Sequence, residues 1–261
     1  MATQSASREF IWRDLMTSDI EKARSYYPAL FGWEVHEQDM GPAGVYTMWH
    51  IGDIFMGGAA QLDASRNLPS YWMIHLEIDD ADAAAERTTE LGGSVIAPPT
   101  DIPDVGRFTV IADPQGAMVS LTTRTNREAP AQIDPKGPGT FAWHELLTTD
   151  PEAASRFYSQ LVGWEAQTVD MGSGWTYRLF MVGEKYAGGA TAMPPEAEAP
   201  PAWIPYVEVA DINASAQKAK ELGGAVMNGP LHVPDVGQIA VTQDPTGAHI
   251  AMLQPERPSS P

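Results

Sequence analysis

The sequence predicts an α+β protein made of four βαβββ modules, two in each half of the chain, and two observations carry that reading. The first is an internal repeat. Phe10-Ile-Trp-Arg-Asp-Leu, with Thr17 and Asp19, recurs 131 positions later, from residue 10 to residue 141, as Phe141-Ala-Trp-His-Glu-Leu with Thr148 and Asp150. At that one offset, without a gap, Gly32-Trp33-Glu34 falls on Gly163-Trp164-Glu165 and Gly57-Gly58 on Gly188-Gly189. Pro103-Asp104-Val105-Gly106 likewise meets Pro234-Asp235-Val236-Gly237. About 40 identities over roughly 112 aligned positions mean that the halves share one fold, and a period this long means tandem domains rather than a solenoid. The second observation is the order of hydrophobic periods, which runs strand, helix, three strands twice within each half.

In the first half, Phe10 to Met16 alternates as a short strand, and Thr17-Ser18-Asp19 supplies cap residues. Ile20 to Phe31 has helical spacing and ends at Gly32, with Pro28 expected to kink or shorten it. Strand patterns follow at Trp33 to Gln38, Val45 to Ile51 and Ile54 to Gln61, separated by Gly-Pro and Gly-Asp turns. The order then restarts with Trp72 to Ile78 as strand, Asp79-Asp80 as cap, Ala81 to Leu91 as helix before Gly92-Gly93, and strands near Val95, Phe108 and Val119. Paired Gly57-Gly58 within a strand suggests a bulge or a close backbone approach. Three Pro and two Gly between Thr125 and Gly139 have linker composition, so the expected division is 1–124, a linker at 125–139, and 140–261.

Composition restricts the function. Sixteen Lys and Arg against 34 Asp and Glu give a formal charge of -18 over 261 residues, which disfavours nucleic acid and anionic membrane as partners. With no Cys, the chain has no disulfide, thiolate nucleophile or Cys-ligated metal. The N-terminal residues are polar and no run of about 18 apolar residues occurs, so a cytoplasmic protein is expected, as a monomer or homodimer.

The helix starts Asp19…Ala23…Tyr27 and Asp150…Ala154…Tyr158, the Leu-Gly-Gly after the second helix, and the turns Asp113-Pro114-Gln115-Gly116 and Asp244-Pro245-Thr246-Gly247 resemble the vicinal oxygen chelate superfamily. Its members include glyoxalase I, bleomycin-resistance proteins and extradiol dioxygenases. The resemblance covers nearly the whole chain and implies two tandem glyoxalase/bleomycin-resistance-like domains, each with a cup-shaped mixed β-sheet. In metal-dependent members of that family, His and Glu from four strands hold one divalent ion in the cup. By this resemblance the first ligand position is Trp12 or Trp143, the second Met73 or Ile204, and the last Ser120 or Ala251. The fourth strand, Ile54 to Leu62 or Tyr186 to Met193, has no carboxylate. Divalent ions need several nitrogen or carboxylate donors, so no metal or other cofactor is expected.

Strand alternation indicates what shares a face with those positions, since residues two apart point the same way. The first half should present Trp12, Asp14, Met73, His75 and Ser120, with Tyr46, Met48 and Phe108 as lining. The second should present Trp143, Glu145, Ile204, Tyr206 and His249, with Tyr177. Aromatic and Met walls with few polar groups suit a hydrophobic or aromatic small molecule. Two alternatives remain at this point. One is a metal-independent isomerase, lyase, cyclase or hydrolase using Asp14 with His75, or Glu145 with Tyr206, as acid-base groups. The other is a metal-dependent glyoxalase or dioxygenase with a non-standard site.

Overall fold

The computed structural model describes residues 6–41, 44–66, 68–125, 136–172, 175–194, 197 and 199–256. Most of the expected linker, 126–135, lies outside the described residues. The first half forms β1 (Phe10–Thr17), α1 (Ile20–Phe31), β2 (Glu34–Asp39), β3 (Val45–Ile51), β4 (Ile54–Gln61), β5 (Tyr71–Glu77), α2 (Ala81–Glu90), β6 (Ser94–Ile102), β7 (Gly106–Ala112) and β8 (Met118–Arg124). The second half repeats them as β9 (Phe141–Thr148), α3 (Pro151–Val162), β10 (Glu165–Asp170), β11 (Thr176–Val182), β12 (Lys185–Ala192), β13 (Ala202–Glu208), α4 (Ile212–Glu221), β14 (Ala225–Val233), β15 (Gly237–Gln243) and β16 (His249–Pro255).

Each half supplies one eight-stranded mixed sheet. The orders are β2-β3-β4-β1-β5-β8-β7-β6 and β10-β11-β12-β9-β13-β16-β15-β14. The pairs β1–β4, β5–β8, β9–β12 and β13–β16 are parallel, and the outer pairs are antiparallel. Helix boundaries follow from local chemistry. Asp19 and Asp150 accept backbone N–H bonds as N-caps of α1 and α3, and Gly32 and Gly163 end those helices with φ of 75° and 78°. Pro28 does not shorten α1, which continues to Phe31. It sits in the last turn, where its missing N–H removes one hydrogen bond and its carbonyl accepts the Gly32 N–H at 2.9 Å.

By contacts the chain divides into two units, each with one module from each half. The first unit takes Met1–Trp12, Met73–Ile133 and His144–Trp203; the second takes Arg13–Trp72, Asp134–Trp143 and Ile204–Pro261. The core of the second packs Tyr26, Tyr27, Leu30 and Phe31 of α1 with Trp49, Trp72, Ile212 and Ala216. In the first, Ala154, Phe157 and Tyr158 of α3 pack with Ile74, Leu76, Leu121 and Trp203. Alternate strand residues enter these cores: Leu15 and Thr17 are buried while Asp14 and Met16 are half-buried. The alternation therefore assigns Asp14 and Met16 to the strand face turned away from the helices.

Candidate functional site

On that face of the second unit, Asp14, Gly58, Met48 and His36 lie in one cross-strand row over β1, β4, β3 and β2. Tyr46, two residues before Met48, donates its hydroxyl to Asp14 Oδ1 at 2.5 Å. The ring takes this path because Gly58 has no side chain. A Cβ at Gly58 would overlap the Tyr46 hydroxyl and stand 2.6 Å from Asp14 Oδ1. Its neighbour Gly57 serves the other approach, since a Cβ there would stand 2.5 Å from the Arg13 carbonyl oxygen. A register shift between Trp49 and His50 adjoins this pair, so bulge and close approach are both present. Phe55, on the adjoining strand, meets His36 and His50 at 5.8 Å between ring centroids in each case.

The first unit carries a copy. Glu145 pairs Gly189, which pairs Leu179. Tyr177, two residues before Leu179, lies over Gly189, where a Cβ would overlap its hydroxyl. The repeat therefore reproduces a carboxylate, a glycine and a tyrosine at equivalent positions.

The remaining predicted residues divide by unit. Asp14, Tyr46, Met48, Trp143, Ile204, Tyr206 and His249 belong to the second, whereas Trp12, Met73, His75, Phe108, Ser120, Glu145 and Tyr177 belong to the first. Asp14 and His75 therefore fall in different units, as do Glu145 and Tyr206. In the first unit, His75 pairs Ser120 across β5 and β8, and its Nδ1 meets Thr122 Oγ1 at 3.4 Å. Ser120 Oγ is 3.5 Å from the same Thr122 oxygen, and Phe108 pairs Thr122 on β7. Met73 and Ser120 are buried, and Trp12 is half-buried. In the second unit, Ile204 and Tyr206 are buried, Tyr206 pairs Ala251, and burial pushes the His249 imidazole below its usual range against an opposing effect of Asp244.

Sequence reasoning missed Glu77 and Arg124. Glu77, two residues beyond His75 on β5, is buried, receives Arg124 Nε at 2.5 Å and accepts the Ser7 N–H and hydroxyl at 2.9 and 2.5 Å. Burial pushes its carboxyl up, but these hydrogen bonds outweigh burial and hold it below the usual carboxylate range. The signal was alternation: Glu77 shares the His75 face. Arg107, a candidate contact for an anionic ligand, is instead held by Asp82 and Asp101 at 2.6 and 2.8 Å.

Two cavities of about 320 Å³ each lie elsewhere. One, in the first unit, is lined by Arg8, Asp79, Asp80, Arg87 and Gly163 among others; the other, in the second, by Phe31, Gly139, Glu208, Asp211 and Lys218 among others. No predicted site residue lines either. The positions at which the resemblance expects metal ligands hold indole, thioether, hydroxyl or alkyl groups, and Asp14 accepts the Tyr46 hydroxyl. Among the described residues, no three His, Asp or Glu are grouped to hold a metal. No helix of the described residues is long and apolar enough to cross a membrane.

Residues 10–121 and 140–252 each match the Glyoxalase/Bleomycin resistance protein/Dioxygenase superfamily. The chain is 36% identical over 247 residues, 94% of each chain, to the Mycobacterium tuberculosis protein named "Putative glyoxylase CFP32". It is 29% identical over 256 residues to the anthracycline biosynthesis protein DnrV of Streptomyces peucetius, covering 93% of this chain and 92% of that one. Among solved structures, the Mn(II)-bound glyoxalase from Novosphingobium aromaticivorans superimposes with a TM-score of 0.66, covering 96% of this chain and 83% of that one. At 14% identity this likeness concerns the fold alone.

Proposed function

This chain belongs to the Glyoxalase/Bleomycin resistance protein/Dioxygenase superfamily, and from that premise we propose that it binds a planar, largely apolar organic molecule without a metal ion. The observation that carries the proposal is the Asp14–Tyr46 pair seated on Gly58. Two residues beyond Trp12, where the resemblance puts the first ligand of a metal-dependent member, this strand presents a carboxylate engaged by a phenol. Met48, level with Gly58, and Met16, two residues from Asp14, supply polarisable apolar surface beside it. Such a face offers buried area to a ring and a polar group to orient it. The name of the 29% identical relative, an anthracycline biosynthesis protein, supports a planar polycyclic ligand. The charge of -18 favours neutral or cationic molecules over anions.

The test is a tryptophan-fluorescence titration with anthraquinones, naphthalenes and quinolines in the presence of EDTA. The expected result is saturable, stoichiometric binding unaffected by the chelator. Failure of the whole panel to bind, or binding that appears only with one divalent ion per chain, overturns the proposal.

A second reading, metal-independent proton transfer, rests on the short Tyr46–Asp14 hydrogen bond, which joins two groups able to exchange a proton with a bound molecule. It requires turnover of a bound panel member that Asp14→Asn abolishes; turnover unchanged in that variant excludes it.

A further inference from the structure

We infer that, of the two copies of this strand face, the one in the first unit holds its ligand more tightly, with the ligand's ring stacked on the indole of Trp175. The inference rests on the binding reading above and names the residue that grips the ring. Of the eight tryptophans, Trp33, Trp49, Trp72, Trp164 and Trp203 are buried and Trp12 and Trp143 half-buried, whereas Trp175 is 42% exposed. The exposed ring is nevertheless fixed. Its Nε1 donates to Thr191 Oγ1 at 2.8 Å, and Thr191 is buried. The backbone is tied as well, since the Trp175 N–H donates to the Gly172 carbonyl and the Trp175 carbonyl accepts the Met171 N–H, both at 2.9 Å. An indole held at its edge and exposed on its surface offers a stacking platform that needs little further ordering when a ring arrives.

Strand register places this platform on the face that carries Glu145. Thr191 is level with Leu147, as Gly189 is with Glu145, and between these rows Leu146 and Ala190 are buried in the core on the helix side. Leu147 and Thr191 therefore share the face of Glu145, where the Tyr177 hydroxyl lies over Gly189. The second unit has a matching turn without the platform. Gly44 stands 131 positions before Trp175, donates to the Gly41 carbonyl at 3.0 Å and accepts the Met40 N–H at 2.8 Å, while Ala60 stands in place of Thr191. The indole and the hydroxyl that holds it are thus present together in one unit and replaced together in the other. That pairing marks Trp175 as a positioned ring and sets the first unit apart as the tighter site. The π face of an indole and the charge of -18 both suit a cationic ring, which decides the probe.

The experiment measures the dissociation constant of the tightest site for 9-aminoacridine, a planar cation at neutral pH, on the full chain. Polarisation of the probe's own fluorescence is the signal, so removing a tryptophan leaves the readout intact. Trp175→Ala is expected to weaken binding about tenfold, and Trp175→Phe by about threefold or less, because a phenyl ring restores stacking surface. Thr191→Val, nearly isosteric, removes the acceptor that holds the indole and is expected to weaken binding about threefold. Trp175 is exposed, so the thermal melts of its variants should match that of the wild type; Trp175→Phe and Thr191→Val carry the comparison if Trp175→Ala does not fold. A constant within about twofold of wild type in Trp175→Ala overturns the inference while leaving the binding proposal standing. A loss that Trp175→Phe does not recover also overturns it, since stacking is then not what the indole supplies. If the wild type does not bind 9-aminoacridine, the inference falls alone where an anthraquinone, naphthalene or quinoline binds, and falls together with the binding proposal where none does.

Discussion

Tyr27 on α1 donates a hydrogen bond of 2.8 Å to Oδ2 of Asp244, 217 positions further along the chain, while accepting one of 3.1 Å from Trp72 Nε1. Both Tyr27 and Asp244 are buried. The first unit repeats the chain of bonds from Trp203 to Tyr158 to Asp113, at 2.9 and 3.3 Å. The aspartates are those of the two Asp-Pro-x-Gly turns, and their Oδ1 atoms accept the turn N–H groups of Gln115 and Ala117, or Thr246 and Ala248. Each turn thus binds a helix of the other half. Tyr27→Phe should cost about 1–3 kcal/mol of unfolding free energy, because it leaves a buried carboxylate oxygen and a buried indole N–H without that hydroxyl. Tyr158→Phe, at the longer bond, should cost less. Chemical denaturation of both variants checks the ordering, and equal costs would deny that bond length matters here.

The paired glycines make a second, asymmetric prediction. Gly57→Ala drives a Cβ to 2.5 Å from the Arg13 carbonyl oxygen, a backbone atom that cannot swing away. At Gly188 the matching approach, to the His144 carbonyl, is 3.0 Å. Gly57→Ala should destabilise by about 2 kcal/mol or more and Gly188→Ala by about 1 kcal/mol, as backbone displacement and mild crowding respectively cost. Thermal melts of the two variants measure the difference.

The Glu77 ion pair predicts a pH dependence. Its folded pKa lies below the unfolded value near 4.5, so its stabilisation is complete above that value and disappears as pH falls through the folded one. The stability gap between wild type and Glu77→Gln should therefore be widest above about pH 5 and close in more acidic solution. A gap that stays constant from pH 7 to pH 3 would show that the carboxylate charge contributes nothing.

His249 predicts a slope of the same sign at higher pH. Burial holds its folded pKa below the ordinary 6.5, so the folded state prefers the neutral ring. Stability should fall as pH drops through the unfolded value near 6.5 towards the folded one, and His249→Gln should remove that part of the slope. Denaturation midpoints between pH 7.5 and 5 test it.

Chelation provides a fifth measurement. If the donor set is unfit for a divalent ion, dialysis against EDTA should leave the melting temperature unchanged, because no bound metal contributes linkage energy. A fall of several degrees, reversed by one equivalent of a divalent ion, would require a ligand set other than the residues at the family positions.

Much of this protein was determined by sequence alone. The repeat from residue 10 to residue 141 implied two equivalent sheets, and alternation assigned Asp14 to the face opposite Leu15, because a strand's period of two depends only on local backbone geometry. Helix ends were also legible, since Asp19 and Gly32 act on their own turns. The partners of the site carboxylates were not. The sequence suggested Asp14 with His75, yet the structure bonds Asp14 to Tyr46 across β4, and that choice depends on strand register and on the space above Gly58. Nor did the sequence decide whether modules associate within or between halves. Strands hydrogen-bond within each half, whereas each apolar core joins α1 to the β13–α4 module or α3 to the β5–α2 module. Hydrophobic burial is non-directional, so a pattern of apolar residues states that a helix must be covered without stating by which part of the chain.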